Sequence, residues 1–374
     1  MKQTLDLRMI SMGGALIAIS AFFALHPRGG QFLSPQNLSN LSIELAITAT
    51  LALGMLLVLL PGMIDLSVGS GVGFLGGVAA VLIIRPANLF MAESTGWPAP
   101  LALLATLTLA LVIWSLMGAL ITYLRIPAFI ITLGGLLIFK GLHWAVIHNA
   151  TIPVAPGGAE NIFSLLTTYY FPAFAGYVIL AFVALAATIW KVRSRAQRQR
   201  HGLEVDDAET AFLKTFVSLQ ALLLLVVVMN LHKGLPLSLV ILGVVTWAVW
   251  MITQHTPFGR YLYAIGGNEE AAALSGINVN RVIVGAFTLM GAVVALTGFM
   301  QTAYGGYSTT TVGNLMELDA IAACVIGGVS LKGGRGAVLG VLFGALIMAV
   351  LLNGMTLIAV TPEIKLIARG GVLV

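Results

Sequence analysis

Long apolar runs separated by short polar breaks set the pattern of the chain. A bilayer core is about 30 Å thick, and a helix needs ~20 apolar residues to cross it. Runs of this kind cover residues 9–25, 41–60, 66–84, 101–123, 128–147, 171–190, 211–231, 235–253, 282–303 and 337–360. Residues 318–331 form a shorter run, better suited to a half-helix or re-entrant segment. Residues 364–374 open one more run but supply only roughly 16 Å of helix at the standard rise. The last helix is therefore expected to be truncated or to end within the bilayer. This pattern predicts an all-α, polytopic integral membrane protein with about ten to twelve transmembrane or re-entrant helices. It forms a single transmembrane domain over residues 1–374.

Composition agrees. Hydrophobic residues make up 59% of the chain and charged residues 9%, against about 25% charged in soluble domains. So few charges cannot cover a water-facing surface, so lipid is the solvent for most of the chain. The net charge of +5 matters through its placement, because Lys and Arg mark cytoplasmic loops. The run "KVRSRAQRQR" (191–200) is the densest basic segment, within a loop spanning 191–210. Arg125, Arg260, Arg281, Lys332 and Arg335 alternate onto the same side when the runs cross in order, while Arg28, Arg85 and Lys233 fall opposite. The expected topology has the amino terminus and the 191–207 segment in the cytoplasm. Residues 9–25 follow Lys2 and Arg8 but precede no A-x-A-like cleavage site, so they read as a first anchor and not as a signal peptide.

The chemistry of a soluble catalyst is missing from the pattern. The six histidines are scattered and Cys324 is the one cysteine, so no internal disulfide and no metal site are expected. No Ser/His/Asp constellation or paired-carboxylate site stands out, so no catalytic residue is assigned and an enzyme is not expected. The glycine-rich stretches "GSGVGFLGG" (69–77) and "GGRGAVLGVLFGA" (333–345) lack the lysine-hydroxyl ending of a phosphate loop. Small residues at such spacing instead let membrane helices approach closely.

Charges within apolar runs attract a functional reading. Asp65 follows Pro61 and Gly62, which break a helix, and suits a cap on the next helix through N–H groups near Val68. Glu317 and Asp319 stand where the short run begins. With Asp65, Ser67 and Asn353 they make the candidate substrate pathway. Glu44 reads as interfacial, and Lys140 and His143 as side chains snorkelling to the interface. Trp144, Trp247 and Trp250 suit membrane interfaces.

One stretch is too polar to insert. "YAIGGNEEAAALSGINVNR" (263–281) has Glu270, Leu274 and Ile277 at helical spacing, with Gly276 placed to end a turn. A short amphipathic helix there either lies on headgroups or docks a soluble partner. The stretch contains Glu270-Ala271-Ala272 followed by Gly276, which resembles the coupling-loop motif of ABC importer permeases. The fuller string resembles monosaccharide permeases of the ribose/xylose type. "IDLSVGS" (64–70) and "ELDAIAACVIGGVSLKGGRG" (317–336) resemble two further segments of that group, in the same order. "GMIDLSVGS", "FLGGVAA", the basic loop after Trp190 and "NGM" (353–355) lean toward D-xylose permeases.

The resemblance implies an ABC importer permease fold and a homodimer in a bacterial inner membrane. It implies a cytoplasmic ATPase that holds ATP and Mg, a periplasmic sugar-binding protein, and no cofactor in this chain itself. It implies a coupling loop at 254–281, with Gly267, Asn268, Glu270, Ala271, Ala272, Ser275 and Gly276 engaging the ATPase. The sugar it implies is D-xylose, with ribose, galactose or arabinose open. An ion-coupled secondary transporter and a membrane scaffold are the rival readings.

Overall fold

Residues 7–27, 29–84, 96–202, 205 and 207–373 are described in the computed structural model of the chain. Lys2, Arg28 and Arg85, used above to orient the chain, lie outside the described residues, as does the side chain of Arg8. In lipid every backbone N–H and C=O must be satisfied within its own segment, and the apolar runs accordingly fold as helices. The first five are α1 (Leu7–Leu25), α2 (Pro35–Leu59), α3 (Val68–Ile84), α4 (Ala99–Tyr123) and α5 (Ala128–Ile147). Ser34 starts α2, its hydroxyl accepting from the Asn37 N–H at 3.2 Å with Pro35 in the first turn.

A loop-rich section follows, with β1 (Ile152–Pro153), α6 (Ile162–Thr168) and β2 (Tyr170–Phe171). Two long helices come next, α7 (Ala173–Arg200) and α8 (Ala208–Asn230), then β3 (Leu235–Pro236) and α9 (Leu237–His255). The polar stretch folds as α10 (Pro257–Gly267) and α11 (Glu269–Leu274). Beyond it run α12 (Val279–Gly305), β4 (Tyr307–Ser308), α13 (Met316–Ile326), α14 (Val338–Leu357) and α15 (Pro362–Leu373). The strands only tie loops, β1 to β4 and β2 to β3, both antiparallel. Among the described residues, eight helices are long and apolar enough to cross a membrane.

Central to the bundle are α2, α12 and α14, with α3, α4 and α13 packed on them. Their contact surfaces bury Leu53, Leu56, Val72, Phe287, Met290, Val294 and Val341. Against lipid such side chains gain little by transfer, since acyl chains are as apolar as leucine; close packing has to hold the helices together. Glycines supply it. A Cβ at Gly298 of α12 would lie 2.7 Å from the Val72 carbonyl oxygen of α3. By contrast α7 and α8 are peripheral and turn Phe174, Phe182, Phe212 and Leu224 outward, as lipid-facing surfaces do.

Two helices begin inside the bundle and not at an end. Ser67, whose carbonyl accepts the first helical bond of α3 from Gly71, sits against Gly135 of α5, roughly 10 Å of helix from the α5 start. Met316 opens α13 at a similar depth: a Cβ at Gly69, in the first turn of α3, would lie 3.0 Å from the Glu317 nitrogen. The amino-terminal ends of α3 and α13 thus abut within the bundle. The 306–315 segment leads down to α13 from the end that holds the strands. The short run predicted as a half-helix is therefore an 11-residue helix whose break precedes it.

The basic residues that the sequence put on one side gather at one end, whereas Lys233 and Arg369 lie elsewhere. Trp190 of α7 packs on Trp250 and His255 at the finish of α9, so the helical extension bearing Lys191 to Arg200 shares an end with α10 and α11. Arg125, Glu269 and Asn280 line one cleft there, and the 332–335 turn packs on Gly266. We refer to this as the knob end and to the other as the far end.

Candidate functional site

Asn268 breaks the chain between α10 and α11 with an extended backbone, and its side-chain oxygen accepts from the Ala271 N–H at 2.9 Å. That cap starts α11, and Glu269 and Glu270 in its first turn suit the positive helix end. Gly276 closes the element at φ +85°, left-handed backbone that only glycine adopts without strain. α10 buries Leu262 and Ile265 while Ala272 fixes α11 to the bundle. Of the residues singled out from the sequence, Gly267, Asn268, Glu270, Ala271, Ser275 and Gly276 are exposed and Ala272 is buried. Leu274, 84% exposed at the tip, is an apolar side chain on a polar knob. The structure thus builds a small rigid projection, anchored from beneath.

Its anchor reaches both broken helices. A Cβ at Gly266 would collide with the Leu60 carbonyl oxygen and the Gly334 nitrogen. Those two atoms are themselves joined, the Gly334 N–H donating to Leu60 O at 2.9 Å. Leu60 leads into the break before α3, and Gly334 follows α13. Tyr263 of α10 donates its hydroxyl to the Gly336 carbonyl at 2.8 Å. Burial raises the Tyr263 phenol above its usual range, so it stays a donor.

Above the break, Asp65 is fully buried. Its Oδ1 accepts from the Ser67 N–H at 2.8 Å and the Ser67 hydroxyl at 2.6 Å, and its Oδ2 accepts from Trp114 Nε1 at 2.8 Å. The expected cap near Val68 is thus made one residue earlier, on the N-cap residue Ser67 itself. Asp65 and Ser67 stiffen the break, and neither lines the far-end cavity described next.

The far end holds a cavity of about 390 Å³ between α2, α12, α13, α14, α15 and the 307–316 segment. Asp319 lines it, its Oδ2 accepting from Arg369 Nη2 at 3.0 Å. Glu44 also lines it. Glu44 Oε1 accepts from the Tyr304 hydroxyl at 3.0 Å and Oε2 from Asn353 Nδ2 at 3.2 Å. Asn37 Nδ2 donates to Asn353 Oδ1 at 2.9 Å. Asn353 therefore stands behind Glu44 as its support and is not in the cavity wall. Glu317 is buried at the α3–α13 meeting point, beside Gly69.

The chain's resemblance to known proteins follows this plan. The profile of the family described as "Branched-chain amino acid transport system / permease component" matches residues 37–374. The chain belongs to that permease family. It is a multi-pass membrane subunit of a transport system, and not itself an enzyme. The permease is 40% identical to the xylose transport system permease protein XylH of Escherichia coli (strain K12), over 99% of this chain and 91% of the relative. Against XylH of Haemophilus influenzae the identity is 36%, over 99% and 95%. The ribose import permease protein RbsC of Escherichia coli (strain K12) is 30% identical, over 97% and 90%. No solved structure matches it.

Several residues of the permease have places that differ from the sequence reading. His143 is buried, its Nε2 3.1 Å from Ser308 Oγ and its ring against Gly73 and Gly77, so it does not snorkel. Lys140 lies over the Trp144 ring at 5.9 Å. Glu44 is a member of a polar network and not an interfacial charge. Trp114, Tyr304 and Arg369 were not singled out at all. Trp114 carries one available signal, a tryptophan far from either end of its run. Arg369 lies in the run too short to cross, and no local pattern points from it to Asp319.

Proposed function

We propose that this permease is the membrane subunit of an ATP-driven importer for a monosaccharide, D-xylose first. Ribose, galactose or arabinose would be the related alternatives. It works as a homodimer in a bacterial inner membrane, with the amino terminus and the knob end in the cytoplasm. A separate ATPase carries ATP and Mg, and a periplasmic sugar-binding protein delivers the substrate to the far end. The observation that carries this reading is the projecting α10–α11 knob, seated at Gly266 on the backbone that leads to both broken helices.

In this mechanism nucleotide closes the ATPase dimer, which grips the knob around Glu270 and Leu274. Movement of α10 is passed through Leu60 and Gly334 to α3 and α13. Their meeting ends then separate or close. Two states of similar energy suffice, provided that ATP favours one of them. The abundance of glycine at the α3–α12 and α13–α14 contacts keeps side-chain repacking small.

Electrostatics favour a neutral cargo over an amino acid. Broken membrane helices attract anionic substrate groups to their positive amino-terminal ends. Here those ends carry the chain's own carboxyls, Asp65 before α3 and Glu317 in the first turn of α13. With those ends already occupied by the chain's own carboxyls, neither offers a free site for a substrate carboxylate, which a sugar does not need. The names of the relatives, a xylose and a ribose permease, agree with this.

Purified permease, reconstituted in proteoliposomes with its ATPase and binding protein, is the test. Uptake of labelled D-xylose should require ATP and resist collapse of ion gradients. Uptake of leucine in its place, or sugar uptake that persists without the ATPase, contradicts the proposal.

A further inference from the structure

Asp319 and Arg369 form an ion pair that is only half made. Carboxylate and guanidinium groups often join through two parallel hydrogen bonds, yet here one bond links Oδ2 to Nη2. Asp319 Oδ1 and Arg369 Nε are buried and have no partner. The Asp319 side chain is only 7% exposed. Both residues line the cavity, and each holds a buried polar atom without a partner beside it, which is costly to leave unfilled. Nearby, both Glu44 oxygens are already held, by Tyr304 and Asn353, so that carboxyl is fixed in place with lone pairs to spare.

We propose that this cavity is a sugar subsite in which Asp319 and Arg369 read two adjacent hydroxyls, with Glu44 as a second acceptor. As the sugar enters, the two side chains turn toward the cavity, so that one hydroxyl donates to Asp319 Oδ1 and its neighbour accepts from Arg369 Nε. A vicinal diol presents that donor–acceptor pair; an aliphatic side chain does not. The cavity, about 390 Å³, falls at the small end of the ~300–1,000 Å³ common for small-molecule sites. Its position at the far end makes it the first subsite met by a sugar released from a periplasmic protein. This inference rests on the importer reading above and specifies which residues of that pathway touch the sugar.

The test compares uptake of D-xylose with uptake of deoxy analogues, each missing one hydroxyl, by the complete importer in proteoliposomes. Asp319→Asn and Arg369→Lys should each lower D-xylose uptake about tenfold. Both should also flatten the preference for D-xylose over the same one or two analogues. The double variant D319R/R369D keeps an ion pair between α13 and α15 but misplaces its open atoms, so it should remain defective. Wild-type uptake by that double variant, or single variants with unchanged discrimination, would make the pair a fold lock and overturn the subsite.

A second measurement covers variants that fail to assemble. Cys324 is the one cysteine and is fully buried, so Thr48→Cys places the one accessible thiol in the cavity wall. D-xylose should slow its alkylation severalfold during turnover. An unchanged alkylation rate while D-xylose is being imported overturns the subsite. Absence of any ATP-dependent monosaccharide uptake by the unaltered importer instead overturns the importer reading, which separates the two failures.

Discussion

The Gly334 N–H donates to the carbonyl of Leu60 at 2.9 Å, and Gly266 of α10 lies against both. One residue of the knob helix therefore touches the backbone entering one broken helix and the backbone leaving the other. The contact is between main chains, with no long side chain to absorb displacement, so any shift of α10 must be shared by its neighbours.

Gly266→Val tests that transmission. A branched side chain there cannot fit beside Leu60 O and Gly334 N, so α10 must move away from both. The expected outcome is sugar uptake reduced about tenfold or more, with ATP hydrolysis by the assembled complex retained. Paired uptake and ATPase assays check it.

Gly276 raises a different demand. It has open space around it but a φ of +85°, and a non-glycine residue in left-handed backbone costs about 1–2 kcal/mol. Gly276→Val should tilt α11 without disturbing the bundle and uncouple hydrolysis from uptake. Wild-type uptake in vesicles would count against this.

Trp114 and Asp65 make a stability prediction. Trp114→Phe leaves Asp65 Oδ2 without its indole donor inside the bundle. A lost hydrogen bond to a carboxyl is worth ~1.5–3 kcal/mol. The melting temperature of the purified permease should fall by roughly 5 °C. Since Asp65 also keeps two contacts to Ser67, the fold itself should survive.

Packing between glycines gives the fourth. Gly298→Leu drives a side chain toward the Val72 carbonyl and Gly76, and the α3–α12 contact has no alternative attraction in lipid. Little folded, monodisperse permease should be recovered in detergent. The same change at Gly243, where a Cβ meets nothing within 4 Å, should be tolerated; gel filtration distinguishes them.

Much of the fold could be read from the chain because lipid enforces a simple rule. Long apolar runs must be helices, and α3, α4, α5, α9, α12 and α14 fall within a few residues of the predicted bounds, while α2 starts six residues earlier. The knob was legible too, since Asn268, Gly276 and the intervening alanines carry local capping and turn signals. What the pattern could not give was depth. Asp65 and Trp114 meet across 49 positions of sequence, Asp319 and Arg369 across 50, and Tyr304 and Glu44 across 260. No periodicity links such pairs, because their contact depends on where α3 and α13 break. Asn353 illustrates the same limit: its type suggested a hydroxyl partner, while its position makes it the support of Glu44.

The most direct test of the central claim uses Leu274→Cys, at the exposed tip of α11, in membrane vesicles of known orientation that also hold the ATPase and binding protein. The account predicts that impermeant thiol reagents reach this position only from the cytoplasmic side, and that a short bifunctional reagent links it to the ATPase with a yield that changes when nucleotide binds. Labelling only from the periplasmic side, or no linkage while ATP is hydrolysed and sugar enters, would contradict it.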